Sequence, residues 1–202
     1  TFVDLFCGGC NVAVNIHGKP VVANDYSPQL IDIYKYFQET GKEQVYKDIY
    51  ETIDKYKLSK TNKEGYISLR SEYNKTKDIK LLYVLICFSF NNQIRFNKKD
   101  EFNMPFGTDR SSFNSALEER LGLFIDGIKD IQFVNKSFEL VAIHEGYFVY
   151  CDCPYLISTA TYNEQGGWTE EHEHLLLESL DLDSLNLQHQ HSPQCRYVCS
   201  LK

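Results

Sequence analysis

Residues 2–10 read FVDLFCGGC, and this stretch decides the fold. The run Phe2–Phe6 is short, apolar and followed by a turn, which is typical of a buried strand. Gly8 and Gly9 lie at its carboxyl end, where glycine allows a tight turn and a close approach of the backbone to a ligand. A helix is expected to follow from about Asn11. A strand, a glycine-rich turn and a helix in this order are typical of α/β proteins that bind a nucleotide-like ligand.

The next residues repeat the pattern of a strand and a helix. Residues 20–23 read PVVA and predict a second strand, which ends at the dipeptide Asn24-Asp25. Ser27 is a residue type that caps helix N-termini, and Pro28 is favoured at the first helical position. We therefore expect a second helix that ends at about Thr40.

Two later apolar runs, Ile131–Val134 and Tyr147–Cys151, also predict strands. Strands that alternate with helices pair in parallel and are covered by helices on both faces. The predicted fold class is therefore α/β, with a Rossmann-like sheet. The strands that end at Asp4 and Asp152 are expected to lie side by side in this sheet.

The alternation of strands and helices stops after about Gly41, and a mostly helical insertion is predicted to follow. Little periodicity remains between residues 91 and 114, so a long loop or a small hairpin is expected there. Three helices are predicted in the first half of the insertion from apolar residues three or four positions apart: Val45, Ile49 and Ile53; Tyr66, Leu69 and Tyr73; Ile79, Leu82, Leu85 and Ile86.

The pattern changes again near the end of the chain. Thr169 is followed by two glutamates, which predicts the start of a helix. Residues 183–202 have no recognisable period, and we expect them to form an aberrant tail without a defined fold. The predicted helix has an apolar face and two histidines that are expected to be exposed: Leu175, Leu176 and Leu180, and His172 and His174.

Charge and hydropathy limit the classes of protein. The chain has 21 Lys and Arg against 28 Asp and Glu, a net charge of -7, which is unusual for a DNA-binding protein because affinity for phosphates comes from basic residues. Local charge can outweigh the total. Between Arg95 and Arg110, lysines alternate with phenylalanines, which fits a solvated face or a DNA contact. The longest apolar run, Leu81–Phe90, is shorter than the ~20 residues of a membrane-spanning helix, so no membrane segment is expected.

Seven cysteines and the lack of a recognisable secretory signal indicate a reducing compartment. Cys7 and Cys10 have the spacing of half a zinc site. No second pair follows at a suitable distance, so we expect no metal.

Asp25 ends the second predicted strand, 21 residues after Asp4 in the first. A carboxylate at the end of the second strand can accept hydrogen bonds from both hydroxyls of a ribose. The spacing Gly-x-Gly-x-x-Gly, which cradles a pyrophosphate, is absent. The pattern therefore favours a ligand with a ribose and no phosphate, as in S-adenosylmethionine, over a dinucleotide.

Residues 152–155 read DCPY, directly after a predicted strand. With this tetrapeptide, the sequence over residues 1–182 resembles the Dam-type (D12 class) DNA adenine-N6 methyltransferases, which have Asp-Pro-Pro-Tyr at the same place. The other motifs that carry the resemblance occur in the family's order: FVDLFCGG at 2–9, ND at 24–25, YKLSKT at 56–61, YNKT at 73–76 and MPFG at 104–107.

The resemblance implies methyl transfer from S-adenosylmethionine to N6 of adenine in double-stranded DNA, at a short GATC-like site. The N6 lone pair is delocalised into the ring, so the site must hold N6 in line with the methyl group and accept hydrogen bonds from its protons. The Asp152 carboxylate can accept one and the Cys153 carbonyl the other, while Tyr155 stacks on a base that has left the duplex. Pro154 completes this catalytic motif. In place of the family's proline, Cys153 keeps the carbonyl and loses the fixed φ.

The resemblance also implies the other site residues. Residues 35–124 correspond to the target-recognition domain, inserted into a catalytic sheet domain of residues 1–34 and 125–182, and Asp25 binds the ribose of the cofactor. The implied cofactor-binding residues are Asp4, Phe6, Cys7, Gly8, Gly9, Asp25, Phe138, Asp152 and Tyr162. The implied DNA-binding residues are Phe90, Asn91, Gln93, Arg95, Pro105 and Arg110.

A DNA-modifying enzyme of this kind is expected in the cytoplasm of a bacterium or of a phage-infected host, with no obligate protein partner. The family carries a Lys- and Gly-containing motif before the segment that begins at Thr1, so the natural N-terminus is expected to lie further upstream. Two alternatives stay open. One is a methyltransferase that acts on a nitrogen of RNA or protein. The other is an impaired relic that binds DNA or cofactor, as Cys153 and the tail suggest.

Overall fold

The structure is a computed structural model that describes residues 1–153 and 168–179 and the backbone of residues 196–200. The chain forms two compact units. The first, called the sheet unit, comprises Thr1–Ile31 and Asp130–Lys202, and the second, called the helical unit, comprises Asp32–Lys129. The sequence had placed the corresponding boundaries after residues 34 and 124.

The sheet unit contains a five-stranded sheet with strand order β3-β2-β1-β4-β5. The first four strands in this order are parallel, and β5 is antiparallel to β4. The α/β fold class with a parallel, Rossmann-like sheet is thereby confirmed, as is the pairing of the strands that end at Asp4 and Asp152. The strands are β1 (Phe2–Asp4), β2 (Val21–Asn24), β3 (Ile131–Val134), β4 (Phe148–Asp152) and β5 (Arg196–Ser200).

Six α-helices are formed by the described residues: α1 (Pro28–Thr40), α2 (Lys42–Lys55), α3 (Lys63–Thr76), α4 (Ile79–Phe88), α5 (Ser115–Gly127) and α6 (Glu170–Ser179). The predictions for α1, for α6 and for the three helices of the insertion are confirmed. Helix α5 was not predicted from the sequence.

The helix predicted from Asn11 is wrong, because only one 3₁₀ turn forms there, at Ala13–Asn15. Cys10 has a φ of 59°, in the left-handed region, and its N–H donates to the Cys7 carbonyl at 2.6 Å. The chain therefore closes a tight turn at Cys10 where a helix would need right-handed backbone. The Asp4 carboxylate then accepts a hydrogen bond from the Ala13 N–H at 3.3 Å and holds the turn against β1.

Part of the predicted tail belongs to the sheet. The backbone of Arg196–Ser200 forms β5 and pairs with the full length of β4, which corrects the expectation that no element follows Leu182. This pairing covers the edge that β4 would otherwise expose to solvent.

The core of the sheet unit lies between the sheet and α6. Its fully buried side chains include Val3, Leu5, Val149 and Leu176. Leu175, which was predicted to share the apolar face of α6, is 40% exposed, and Leu180 lies outside the described residues.

Side-chain caps define the helices of the helical unit. The side chains of Asn62, Asp78 and Asn114 accept hydrogen bonds from first-turn N–H groups of α3, α4 and α5. Between α4 and α5, two antiparallel bridges join Ser89 to Phe106 and Phe96 to Phe102. The stretch with little periodicity is therefore a small hairpin. No helix in the described ranges combines the length and the apolar character that crossing a membrane requires.

Candidate functional site

Three carboxylates meet at the carboxyl edge of the sheet. Strand β1 pairs in parallel with β2 on one side and with β4 on the other, so Asp4, Asp25 and Asp152 follow neighbouring strands to the same edge. Asp152 and Asp25 are close enough to Asp4 for their negative charges to raise its pKa. In open α/β sheets, this edge is where ligands bind.

Asp4 is the most buried of the three, with 1% of its surface exposed. Its Oδ2 accepts the Ala13 N–H, while Oδ1 is buried without a hydrogen-bond partner among the described residues. Burial, with a smaller contribution from Asp152 and Asp25, raises the pKa of Asp4 to about 6. A buried carboxylate oxygen without a donor is costly, so the site suits a ligand that brings donors or positive charge.

Asp25 is held at the glycine turn by two backbone donors. Oδ2 accepts the Gly8 N–H and Oδ1 accepts the Ser27 N–H, both at 2.9 Å. Each oxygen keeps a lone pair for a further donor. Burial raises the pKa of Asp25, and the two backbone hydrogen bonds oppose that rise. Gly8 has a φ of +43°, where a side chain would be strained, which explains glycine at this position.

Asn24 has a structural role that the sequence analysis did not separate from that of Asp25. Its Nδ2 donates to the carbonyls of Leu5 at 3.0 Å and Lys136 at 3.1 Å, and its Oδ1 accepts the Lys136 N–H at 3.0 Å. The side chain therefore ties together the segments that follow β1, β2 and β3. It fixes the position of the neighbouring residue Asp25.

Cys7 and Cys10 are buried in the turn with free thiols. A hydrogen bond with Cys10, together with burial, raises the pKa of the Cys7 thiol. A protonated, buried thiol is a packing group and a poor metal ligand or nucleophile. Across residues 1–153 and 168–179, no three Cys, His, Asp or Glu side chains form a group that could hold a metal ion.

An aromatic cluster packs against the turn. The ring of Phe6 lies 5.6 Å from Phe138 and 5.4 Å from Trp168, measured between centroids. Trp168 also stacks on His172 at 5.4 Å, so His172 is partly buried, contrary to expectation. Phe138 is 7% exposed and belongs to the core that supports the turn. Trp168 was missed in the sequence, although it is the only tryptophan.

The tetrapeptide that carries the family resemblance is described in part. Asp152 is the last residue of β4 and is partly buried, and the Tyr150 hydroxyl donates to its Oδ2 at 3.4 Å. Cys153 follows and is 3% exposed. The predicted site residues Pro154, Tyr155 and Tyr162 lie outside the described residues.

The predicted DNA-binding residues lie in the helical unit, and most are exposed. Phe90 is 43% exposed, and its N–H donates to the Pro105 carbonyl at 2.8 Å, which places the two residues side by side. Asn91, Gln93 and Arg110 are exposed as well. The structure therefore joins the start of the hairpin segment to its end.

Arg95 differs from the others because its guanidinium is used within the hairpin. Its Nε donates to Asn103 Oδ1 at 2.7 Å and Nη2 donates to the Asn103 carbonyl at 3.0 Å. The side chain is partly buried and braces the two sides of the hairpin. Its place in the fold alone accounts for an arginine here.

Charge is divided unevenly between the units. The helical unit holds 17 of the 21 Lys and Arg residues and 15 of the 28 Asp and Glu residues. The helical unit therefore has a net charge of +2 and the sheet unit one of -9. The helical unit is the part whose charge permits contact with a polyanion.

Comparison with known proteins agrees with this picture. The family model described as D12 class N6 adenine-specific DNA methyltransferase matches residues 1–197. The Type II methyltransferase M.FokI of Planomicrobium okeanokoites is 42% identical, and the modification methylase StsI of Streptococcus sanguinis is 36% identical, each over 90% of this chain. A DNA adenine methylase of Vibrio cholerae is 28% identical over 82% of the chain. The chain spans 29% of the length of each of the first two proteins and 60% of the third.

Proposed function

The chain belongs to the family of D12 class N6 adenine-specific DNA methyltransferases, and we propose that it transfers a methyl group from S-adenosylmethionine to N6 of an adenine in duplex DNA. The observation that carries the proposal is the meeting of Asp4, Asp25 and Asp152 at one edge of a parallel sheet. The chain spans 29% of the length of M.FokI and of StsI. The activity of those whole proteins therefore supports a proposal for this chain.

The residues at this edge fit the methyl donor. When bound, S-adenosylmethionine supplies an electrophilic methyl group on a sulfonium, together with ribose hydroxyls and an ammonium group. Asp25 accepts hydrogen bonds from the ribose hydroxyls through lone pairs that Gly8 and Ser27 leave unused. Asp4 gives the pocket negative charge, and its Oδ1 accepts a donor that the described residues do not provide. Phe6 supports the donor from the turn, backed by Phe138 and Trp168.

Asp152 and Cys153 act on the target base. The carboxylate of Asp152 accepts one proton of the N6 amine in a hydrogen bond, and the Cys153 carbonyl accepts the other, which orients the nitrogen lone pair towards the methyl group. The Tyr150 hydroxyl steadies Asp152 from within β4. Pro154 and Tyr155 complete this part of the site, with Tyr155 stacked on the flipped base.

The helical unit holds the DNA. Phe90, Asn91, Gln93 and Pro105 contact the recognition sequence, which we propose to be a short GATC-like site, and Arg110 contacts its flank. Arg95 contributes by bracing the hairpin that presents them. The basic residues gathered in this unit support the assignment.

Replacement of Asp152 by Ala tests the proposal. We expect the methylation rate on a GATC-containing duplex to fall by at least about 100-fold, because the variant loses a positioned acceptor for the N6 protons. Binding of S-adenosylmethionine is followed through the fluorescence of Trp168, whose ring lies against Phe6 of the turn. Duplex binding is measured with a labelled oligonucleotide. Duplex binding should stay close to that of the unaltered protein, since the carboxylate acts on the flipped base, and the measured donor affinity separates a loss of donor binding from a loss of transfer.

Asp130→Ala is the matched control, because it removes an exposed carboxylate from the same unit. It should methylate at the rate of the unaltered protein. If Asp152→Ala still methylates adenine at that rate, the mechanism is wrong. If the unaltered protein methylates RNA or a protein in preference to duplex DNA, the proposed substrate is wrong, and transfer to a duplex without GATC rejects the proposed recognition sequence.

A further inference from the structure

Residues 55–63 form a basic loop that has no part in the proposed function so far. They read KYKLSKTNK, with four lysines and no acidic residue, and they join α2 to α3. Part of this stretch belongs to the motif YKLSKT, for which the sequence analysis assigned no role. A cluster of positive charge at the surface attracts anions.

The backbone of the basic loop is held in one conformation. Leu58 anchors it with 7% exposure, and Asn62 Nδ2 donates to the Lys57 carbonyl at 2.7 Å. Asn62 Oδ1 accepts the Gly65 N–H at 3.0 Å, and a Cβ on Gly65 would lie 2.2 Å from the Tyr56 carbonyl oxygen. The loop therefore packs directly on the first turn of α3. The backbone that carries the exposed side chains of the loop is thus fixed in position.

Two of the four lysines interact with neighbouring side chains. Lys57 Nζ pairs with Asp54 at 2.8 Å, and Lys55 Nζ lies 5.0 Å from the centroid of the Tyr56 ring. The other two, Lys60 and Lys63, are exposed and form no ion pair with the described part of the chain. Lys60 and Lys63 are therefore available to an external anion.

A hydrogen bond joins the basic loop to Asp109, the residue before Arg110, which is proposed to contact the flank of the recognition sequence. The Asp109 N–H donates to the Lys60 carbonyl at 2.9 Å, and the next residue is Arg110, whose own N–H donates to Gly107 at 3.2 Å. Arg110 is exposed and, like Lys60, has no ion pair within the described ranges. Glu64 and Asp109 adjoin these cations and do not pair with them.

We propose that the basic loop is a second contact with the DNA backbone, beside Arg110, in which Lys60 neutralises one phosphate. The inference rests on the proposed function, since it takes duplex DNA as the partner. Phosphate contacts set the position of a protein on the duplex and carry no sequence information themselves. Lys60 therefore increases affinity for the duplex and helps to set the position of the protein on it, next to the residues proposed to recognise the sequence.

The test is the salt dependence of duplex binding by Lys60→Gln. Each phosphate that a protein neutralises contributes about -0.9 to the slope of log K against log salt concentration. We expect the slope to become less negative by about 0.9, on duplexes with and without GATC. The advantage of the unaltered protein over K60Q should accordingly shrink about threefold between about 50 and 200 mM salt.

Two further variants make the result decisive. Lys47→Gln removes a lysine of α2 whose Nζ lies 3.9 Å from Glu51, and it should keep the slope of the unaltered protein. Lys60→Arg keeps the charge and should keep the slope too. The inference is overturned if K60Q behaves like K47Q, or if K60R loses as much affinity as K60Q, because the effect would then come from a distorted loop. If the unaltered protein neither binds nor methylates duplex DNA, the proposed function fails and this inference with it.

Discussion

The surroundings of the Asp4 carboxyl group disfavour its ionised form. It is 1% exposed, its Oδ1 accepts no hydrogen bond from the described residues, and two other carboxylates lie nearby. Its ionisation therefore costs free energy in the folded protein that it does not cost in the unfolded chain. A binding site can tolerate this cost when the ligand that arrives is cationic.

Asp4→Asn should change how stability depends on pH. The folded pKa of about 6 lies above the ordinary value of 3.8, so the folded protein holds the proton more tightly than the unfolded chain. The stability from protonated Asp4 is complete below about pH 4 and is lost as pH rises through about 6, a change of about 3 kcal/mol. We expect the free energy of unfolding of D4N, relative to the unaltered protein, to rise by about this amount between those pH limits.

Urea unfolding of both proteins, without ligand, measures this difference. Asp130→Asn replaces an exposed carboxylate, and its free energy of unfolding should change with pH as that of the unaltered protein does. If D4N shows the same dependence on pH, burial does not raise the pKa of Asp4 and the account of the pocket's charge is incorrect.

Single residues also show what the sequence could and could not predict. The positions of Asp25 and Gly8 followed from a strand end and a glycine turn, because backbone geometry at such turns has few solutions. The hydrogen bond between Arg95 and Asn103 could not be predicted from the sequence, since a side-chain pair across a hairpin produces no periodic pattern. The stacking of His172 on Trp168 was missed for the same reason.

At the scale of elements, periodicity was informative where one face of an element is buried. Helices α2, α3 and α4 repeat apolar residues at helical spacing, and each was predicted. The helix expected after the glycine turn does not form, because hydrogen bonds from Cys10 to Cys7 and from Ala13 to Asp4 determine the backbone conformation there. β5 was missed because its strand character depends on pairing with β4.

The hairpin between α4 and α5 depends on one glycine. A Cβ on Gly107 would lie 2.5 Å from the Ser89 carbonyl oxygen and 2.3 Å from Ser111 Oγ. Gly107 is also linked to Phe88, whose carbonyl accepts its N–H at 2.9 Å. The last residue of the MPFG motif therefore has a packing role, and it lets the two ends of the hairpin segment meet.

Gly107→Ala should destabilise the helical unit by about 1 to 3 kcal/mol, because the Ser89 backbone cannot move aside. The position of Pro105 and Arg110 on either side should shift with it, so duplex affinity should fall while binding of S-adenosylmethionine is kept. Urea unfolding and the two binding assays measure these effects. Thr108→Ala, at an exposed neighbouring position, serves as control. A G107A protein as stable as T108A would show that the hairpin does not need the close approach.

For the whole molecule, the division into two units matches a division of charge. The sheet unit has a strongly acidic composition and the three clustered carboxylates, whereas the helical unit contains most of the basic residues. The net charge of -7 hides this distribution, so the total does not argue against a polyanionic partner. The sequence revealed the inserted domain through the loss of strand and helix alternation, which a change of architecture produces along any chain.

The division predicts that one substitution can weaken binding of the methyl donor alone and another can weaken binding of the duplex alone. Asp25→Ala removes the proposed acceptor for the ribose hydroxyls, and hydrogen bonds to charged groups contribute about 1.5 to 3 kcal/mol each, so affinity for S-adenosylmethionine should fall at least about tenfold. Duplex binding should not change. Arg110→Gln should do the reverse, since it removes an exposed cation from the helical unit and leaves the glycine turn untouched.

Titration of each variant with S-adenosylmethionine alone and with duplex alone distinguishes the outcomes. Asp25 also holds the N–H groups of Gly8 and Ser27, so its removal could loosen the turn as well. Asp25→Asn addresses this point, because its one carbonyl oxygen can keep one of these backbone bonds while the charge is lost. The proposed role of Asp25 requires D25N to bind the donor more weakly than the unaltered protein and to unfold at a similar urea concentration. Unchanged donor affinity in both variants would remove Asp25 from the site, and a parallel loss of duplex affinity would mean that the two functions are not divided between the units.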